Sequence, residues 1–296
     1  MSETAPSRCS CAPDAESRAA DHVTESIAGG EPLRHVRRVK PVPREPSGRG
    51  PFRADQLRPG DPYELSDGHA IVSEPSGRRH GTKHLVGGAL IATDPAVEEV
   101  GIEVGHVLDP WTLRAPDVSV GGVDQDPGFS RTAPVLAVEY VEKGRDERDL
   151  QREIRELLGA GSRLVWVVRL GGEPRVEVHR RGAAPSVKYA GDVLDAPGVL
   201  RNAVPVEALY DRSAAQAAML RNLLQRAGYE GTDALVESGR LAQARAVLRR
   251  MLSRRGLALG PADDASIDAC TDLATLDRWI DGAADASSVR ALLATA

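Results

Sequence analysis

Short apolar runs, each ended by turn residues, fill the middle of the chain from residue 61 to residue 209. Residues 61–72 hold two such runs around Ser-Asp-Gly, a sequence typical of the tight turn of a β-hairpin. Runs rich in Val and Leu predict further strands over residues 100–107, 118–120, 135–141, 164–170 and 175–180. Short segments at residues 191–194 and 205–209 are expected to close this part of the fold.

Two helices are predicted between these strands, and together they indicate an α/β fold class. Residues 81–93 are rich in Gly and Ala, and we expect the face formed by Leu85, Ala89 and Ala92 to pack against the sheet. Residues 146–160 place four large aliphatic residues at helical spacing and then reach a glycine-containing turn.

From Arg212 onward the apolar residues recur at helical spacing and no strand pattern is found. Met219, Leu220, Leu223 and Leu224 form the first apolar face of this region. A later helix is strongly basic, with arginines at positions 240, 245, 249, 250, 254 and 255. It could form a nucleic-acid or partner surface, but a solvated amphipathic face is the more common structure for such a pattern.

The polar start of the chain differs from both of these regions. Residues 1–55 are rich in Pro, Gly, Ser and Ala and show neither helical nor strand periodicity, so we expect them to be largely disordered. The predicted organisation is therefore a disordered segment (1–55), an α/β domain (56–212) and a helical C-terminal region (213–296).

The formal net charge of −5 argues against a general nucleic-acid coat, since such proteins carry a basic balance. It is compatible with an enzyme that binds nucleic acid in one local groove. Three cysteines are too few for a disulfide framework. Because no run of 18 apolar residues and no secretory signal pattern are found, we expect a cytoplasmic protein without a membrane span.

Two acidic residues interrupt the apolar runs of the central strands. Asp117 comes directly before residues 118–120, and Glu139 lies inside residues 135–141. A carboxylate in a buried strand costs desolvation free energy unless it is paired, hydrogen-bonded or bound to a metal ion. Two of them on neighbouring strands suggest a divalent-cation site. The alternatives are a strand-start role for Asp117 and an edge strand that exposes Glu139 to solvent.

Several short motifs carry a family resemblance through their order and spacing. They are Tyr63-Glu64-Leu65-Ser66-Asp67-Gly68, Arg79-His80-Gly81, Ala115-Pro116-Asp117-Val118, Ala137-Val138-Glu139-Tyr140, and Ala160-Gly161 followed by Trp166-Val167-Val168. Together they resemble the Uma-two family of restriction endonuclease-like proteins, in the PD-(D/E)XK nuclease superfamily. The resemblance covers residues 56–212 and implies a PD-(D/E)XK-type mixed sheet flanked by helices. The remaining residues then form a C-terminal all-helical appendage.

The resemblance implies a metal site with supporting residues. Asp117 and Glu139 would bind the ion, with the backbone carbonyl of Tyr140 as a third ligand. Oxygen ligands of this kind suit Mg²⁺ or Mn²⁺. Glu64 could add a ligand, and His80 could contact phosphate or carry a proton.

One position departs from the family pattern. The superfamily places a lysine two residues after the glutamate, but this position is Val141. In the Uma-two family the lysine lies on the next helix, where this chain has Glu153 with Arg152 beside it. Neighbouring helix residues point about 100° apart, so Arg152 cannot take the same place. Lys143 or Lys83 could supply the charge; otherwise hydrolytic activity is weakened or lost.

The leading prediction is a metal-dependent endonuclease that hydrolyses phosphodiester bonds of nucleic acid, and of DNA in particular. Its candidate catalytic residues are Asp117, Glu139, Glu153 and His80. Two alternatives stay open: a catalytically impaired nuclease fold that binds nucleic acid or protein, and an adaptor that acts through its helical tail. Nucleases that cut both strands often act as pairs, so the sequence also leaves a homodimer open.

Overall fold

The computed structural model describes residues 50–73, 78–122, 127–142 and 146–294, without the side chains of residues 78–80. The predictions for residues 1–49 and for Lys143 lie outside the described residues. Within these ranges, no helix combines the length and the apolar character needed to cross a membrane.

The described strands follow the chain as β1 (Tyr63–Ser66), β2 (His69–Val72), β3 (Val100–Gly101), β4 (His106–Asp109), β5 (Thr112–Arg114), β6 (Val118–Val120), β7 (Leu136–Val141), β8 (Leu164–Arg169), β9 (Arg175–His179), β10 (Ser186–Tyr189), β11 (Val193–Leu194) and β12 (Val204–Pro205). The helices are α1 (Arg78–Thr93), α2 (Glu147–Ala160), α3 (Arg212–Arg226), α4 (Thr232–Arg254), α5 (Pro261–Ala269), α6 (Leu273–Gly282) and α7 (Val289–Leu293). Their order confirms an α/β region followed by an all-helical one.

A small core forms around Phe52, before the first strand. Phe52 and Ala54 are buried and pack with Leu57, Leu65 and Leu113. The expectation that disorder extends to residue 55 is therefore wrong for residues 50–55. Isolated apolar residues among Pro and Gly have no period of either kind, so the sequence pattern did not reveal this segment.

The hairpin of β1 and β2 confirms the prediction for residues 61–72. Asp67 (φ 48°) and Gly68 (φ 75°) form its turn in the left-handed region, which Asp tolerates and Gly favours.

The single strand predicted over residues 100–107 is wrong, because β3 and β4 are separate strands. After β4 the chain turns back at Pro110 into β5. Four described strands make one sheet in the order β2-β1-β5-β4.

The larger sheet has the strand order β10-β9-β8-β7-β6-β3 in the described ranges. Strands β7 and β8 are parallel and are connected by α2, whereas the other neighbours are antiparallel. This is the mixed sheet flanked by helices that the sequence predicts, although β10 was not anticipated.

Strand β7 is buried along its whole length, and its side chains alternate between two cores. Leu136, Val138 and Tyr140 share one core with residues of α1 and α3. Ala137 and Val141 share the other core with residues of α2. Because successive side chains of a strand point to opposite faces, Glu139 lies on the face that α2 covers.

Helix α1 approaches the sheet through glycine. A Cβ atom at Gly87 would lie 1.8 Å from the hydroxyl oxygen of Tyr140, so only glycine fits at this contact. Leu85 is 63% exposed, so the packing face predicted around Leu85, Ala89 and Ala92 is wrong. Glycine allows the close approach but adds no apolar residue to the helical pattern, and this is why the pattern misidentified the face.

Helix α2 lies where it was predicted. Asp146 caps its N-terminus by accepting a hydrogen bond from the backbone nitrogen of Arg148 (2.8 Å). The large aliphatic residues of the helix pack against the face of β7 and β8. Glu153 is buried on the same helix.

The described residues belong to one compact unit, Glu45–Ala296, and helices α3–α7 are divided between two of its cores. Ala215 and Ala218 of α3 pack in the core that α1 forms with the large sheet. Helices α4–α7 form a separate core around Leu248, Leu276 and Trp279. The division between residues 212 and 213 stays a prediction, and these contacts favour a boundary after α3.

The packing of helices α3 and α4 differs from what their sequence patterns predict. Leu220 and Leu223, which belong to the predicted apolar face of α3, are each 52% exposed. On α4, Arg249 forms ion pairs of 2.7 Å with Asp264 and Asp268 of α5. Part of the basic charge of α4 therefore holds the helical region together.

Candidate active site

The pairing of β6 with β7 places both predicted metal-binding carboxylates at the same end of this ladder. The antiparallel ladder ends where Val118 pairs with Val138. Asp117 comes directly before Val118, and Glu139 directly follows Val138 on β7. Glu139 is 2% exposed, so the edge-strand alternative for this residue is wrong.

Asp117 is held from two sides. Its Oδ2 atom accepts a hydrogen bond from the backbone nitrogen of Tyr140 (2.6 Å) and lies 3.3 Å from Nε2 of His84. The histidine ring also lies against the ring of Tyr140, with centroids 5.0 Å apart. Helix α1 and strand β7 thus converge on a single carboxylate.

The phenol of Tyr140 is part of the same arrangement. Its hydroxyl donates a hydrogen bond to the backbone carbonyl of Leu209 (3.0 Å). Burial raises the pKa of Tyr140, and the negative charge of Asp117 raises it further. The side chain is therefore a neutral donor that anchors the strand, while its backbone nitrogen orients Asp117.

His84 and its contact with Asp117 were not anticipated from the sequence. His80 and His84 are spaced i and i+4 on α1, which places both on one side of the helix. That spacing is the signal that could have identified His84. The side chain of His80 lies outside the described residues, so its role stays a prediction.

A second missed residue, Arg114, ends strand β5. Its Nε atom lies 2.6 Å from Oε2 of Glu156, and its Nη1 atom lies 3.2 Å from Oε2 of Glu64. Burial by itself lowers the pKa of Arg114, but the charges of Glu153, Glu64 and Glu156 outweigh this effect and the pKa is raised. Three carboxylates therefore surround one buried guanidinium.

Glu64 faces Arg114 across the smaller sheet. Leu65 pairs with Leu113 in the antiparallel β1–β5 ladder, so Glu64 lies opposite Arg114. This ion pair occupies one of the oxygens with which Glu64 could bind a metal ion. The metal-binding role predicted for Glu64 stays a prediction.

Glu153 and Arg152 lie on different sides of α2, as their positions on the helix require. Glu153 is 2% exposed, and its charge acts on Arg114. Arg152 is exposed and lies 3.7 Å from Asp149 on the outer side of the helix. Lys83 donates to the backbone carbonyl of Tyr210, which gives its ammonium group a partner at the start of α3.

The carboxylate pair fits a small, hard cation. Among the described residues, no group of three or more His, Cys, Asp or Glu side chains is arranged to hold a metal ion. Mg²⁺ commonly binds through one or two carboxylates and keeps several waters. Asp117 and Glu139, with a backbone carbonyl such as that of Tyr140, are a donor set of this kind.

Comparison with known protein families identifies the family of the chain. The model of the Uma2 family, described as "Putative restriction endonuclease", matches residues 52–207. This is more than half of the chain, and the chain belongs to this family, which confirms the resemblance to the Uma-two proteins.

One solved structure is similar to the chain at low identity. It is a protein from Anabaena variabilis ATCC 29413, described as "a putative nuclease belonging to DUF820". The identity is 16%, the match covers 56% of this chain and 99% of that chain, and the TM-score is 0.48. No curated protein matches the chain.

Proposed function

We propose that this protein is a metal-dependent endonuclease that hydrolyses phosphodiester bonds of nucleic acid. The observation that carries this proposal is the position of Asp117 at the end of β7 that holds Glu139, where it accepts a hydrogen bond from the backbone nitrogen of Tyr140, the residue after Glu139. A buried carboxylate pair of this kind suits Mg²⁺ or Mn²⁺, and family membership supports a nuclease. We further propose DNA as the substrate, a homodimer for cleavage of both strands, and a cytoplasmic location.

The chain's own residues would bind and orient the reacting groups. Asp117 and Glu139 would hold the ion, with the carbonyl of Tyr140 as a third ligand and Glu64 as an additional one. His84 and the backbone nitrogen of Tyr140 fix the rotamer of Asp117. When bound, a divalent ion supplies Lewis-acid chemistry, since it makes water more acidic and stabilises negative charge on a phosphate.

Two further residues complete the proposed machinery. His80 lies at the start of α1, on the same side of the helix as His84, from where it could contact phosphate or carry a proton. Glu153 is buried on α2, the helix that covers the face of β7 to which Glu139 points. A carboxylate there could accept a proton from the attacking water.

The proposal is tested by nicking of supercoiled plasmid with Mg²⁺ or Mn²⁺. We expect metal-dependent nicking by the wild type and a loss of at least about 100-fold in Asp117→Asn and Glu139→Gln, since each removes a ligand of the ion. Asp149→Asn, a change at a half-buried carboxylate near the start of α2, is the matched control and should cleave like the wild type. Wild-type protein that is folded but cleaves neither DNA nor RNA would refute the proposal.

Glu153 favours a second candidate function, a catalytically impaired nuclease fold that binds nucleic acid or protein. The resemblance expects a lysine at this position, and the structure has a buried carboxylate instead. This candidate predicts that a labelled DNA duplex binds without being cut. It also predicts that Asp117→Asn leaves the binding affinity unchanged, since no ion is needed.

A further inference from the structure

Arg114 connects the smaller sheet to helix α2. Its side chain is 3% exposed, and it binds Glu64 of β1 with one nitrogen and Glu156 of α2 with another. The hydroxyl of Ser66 donates a hydrogen bond to the other carboxylate oxygen of Glu156, Oε1 (2.5 Å). Strand β1, strand β5 and helix α2 therefore meet at one guanidinium.

The position of Arg114 along the chain connects this network to the carboxylate pair. Arg114 is the last residue of β5, and Asp117 comes three residues later, directly before β6. The chain leaves the smaller sheet and enters the larger sheet in this short turn. Whatever holds Arg114 in place therefore also holds one end of the turn that carries Asp117.

We propose that Arg114 is a positioning residue of this site, which fixes the turn bearing Asp117 relative to α2 by binding Glu64 and Glu156. The inference rests on the proposed function, because the positioned group is the metal-binding carboxylate. Arg114 is too deeply buried to touch a substrate, so it acts through these carboxylates and through the backbone of the turn.

The chemistry of the network requires arginine. A guanidinium presents its donors in a rigid, planar fork, which can bind carboxylates on two different elements at once. A lysine ammonium keeps the charge but is a single point on a flexible chain, so it cannot hold both partners in the same geometry. Arg114→Lys therefore separates the positioning role from the charge.

Stability alone does not account for the arrangement. The Nη2 atom of Arg114 is buried without a hydrogen-bond partner. A buried donor in this state costs free energy, and well-packed apolar residues in place of a buried ion pair are often equally or more stabilising. A buried arginine with one unused nitrogen is therefore better explained by geometry at the site than by stability.

The test compares Arg114→Lys, Glu156→Gln and the double variant with the wild type. Arg249→Lys is the matched control, because Arg249 also binds two carboxylates with two nitrogens but lies in the helical region. Three quantities are measured: the temperature of unfolding, the affinity for Mn²⁺ by electron paramagnetic resonance of the free ion, and the rate of plasmid nicking. Affinity and rate are measured well below the unfolding temperature of every variant.

We expect Arg114→Lys to weaken Mn²⁺ binding and slow nicking by about tenfold or more, the usual effect of removing a residue that orients metal ligands. Glu156→Gln should act in the same direction. The double variant should be no worse than the more harmful single variant, because residues that act as a unit are not additive. Arg249→Lys should change neither quantity.

The inference is overturned if the variants unfold at lower temperature but keep wild-type Mn²⁺ affinity and nicking rate, since Arg114 is then purely structural. If Arg114→Lys does not fold, Glu156→Gln decides, because it retains the arginine and removes one carboxylate charge. If the wild type binds Mn²⁺ but does not cleave, only the nuclease proposal is refuted. The Mn²⁺ affinities of the variants then still decide the role of Arg114. A wild type that binds no Mn²⁺ refutes both.

Discussion

The carboxylate of Asp117 lies 3.3 Å from Nε2 of His84, and both side chains are largely buried. One residue ends the turn before β6 and the other comes from the first half of α1. Their contact joins the helix to the carboxylate pair, and it gives a histidine outside the recognised motifs a place at the site.

We expect His84→Leu to weaken Mn²⁺ binding and slow nicking by about tenfold, because Asp117 loses a group that orients it. The substitution keeps an apolar side chain against the ring of Tyr140. His69→Leu, an exposed change on β2, serves as the control and should leave both quantities unchanged. Equal Mn²⁺ affinities for His84→Leu and the wild type would show that Asp117 does not depend on the histidine.

Gly87→Ala should destabilise the protein by about 1–3 kcal/mol, because a Cβ atom there meets the hydroxyl of Tyr140. Gly159→Ala on α2 is the matched control. No atom lies within 4 Å of its added Cβ, and alanine favours a helix, so a gain of about 0.5–1 kcal/mol is expected. Chemical denaturation measures both changes in the free energy of unfolding.

A second measurement identifies the clashing atom. Tyr140→Phe removes the hydroxyl, so Gly87→Ala should cost less in that background than in the wild type. Equal costs in the two backgrounds would mean that the hydroxyl is not the source of the destabilisation.

Stability should fall as the pH is lowered from 7.5 to 5.5, in part because of His106. The ring is buried, with Nδ1 donating to the carbonyl of Thr132 (2.8 Å) and Nε2 accepting from the hydroxyl of Ser119 (2.9 Å). Burial lowers the pKa of His106 from its ordinary value of 6.5. The unfolded state therefore binds a proton first, and stability is lost as the pH falls through 6.5 towards the lower folded pKa.

His106→Gln tests this, because glutamine cannot take up the proton. The dependence of the unfolding temperature on pH should become weaker between pH 7.5 and 5.5. Some dependence should remain, since burial also lowers the pKa of His179. An unchanged slope would mean that His106 does not contribute to it.

Truncation after Gly228 should leave a folded α/β domain, whereas truncation after Asp211 should not. Helix α3 packs Ala215 and Ala218 into the core beside α1, and the shorter fragment exposes that surface. Circular dichroism and thermal unfolding of the two fragments measure the difference. Plasmid nicking by the longer fragment would also exclude an adaptor that works through its helical tail. If the two fragments are equally stable, the boundary predicted at residue 212 is the correct one.

The order of the elements and the two central carboxylates could be read from local pattern. Strands β6–β9 and helix α2 appear in the sequence because their apolar residues follow strand or helix periods. Asp117 stands out because it directly precedes such a run, and Glu139 because it lies inside one. The packing face of α1 could not be read in this way, since Gly87 contributes space rather than apolar surface.

The sequence by itself therefore determined the class of fold and singled out two carboxylates as candidate metal ligands. Only the tertiary structure decided that His84 contacts Asp117 and that Arg114 binds Glu64 and Glu156. Glu64 and Arg114 are 50 residues apart in the chain, and they meet because the β1–β5 register places them opposite each other. The periodicity of apolar residues shows which face of an element is apolar, but it does not show which distant element packs against that face.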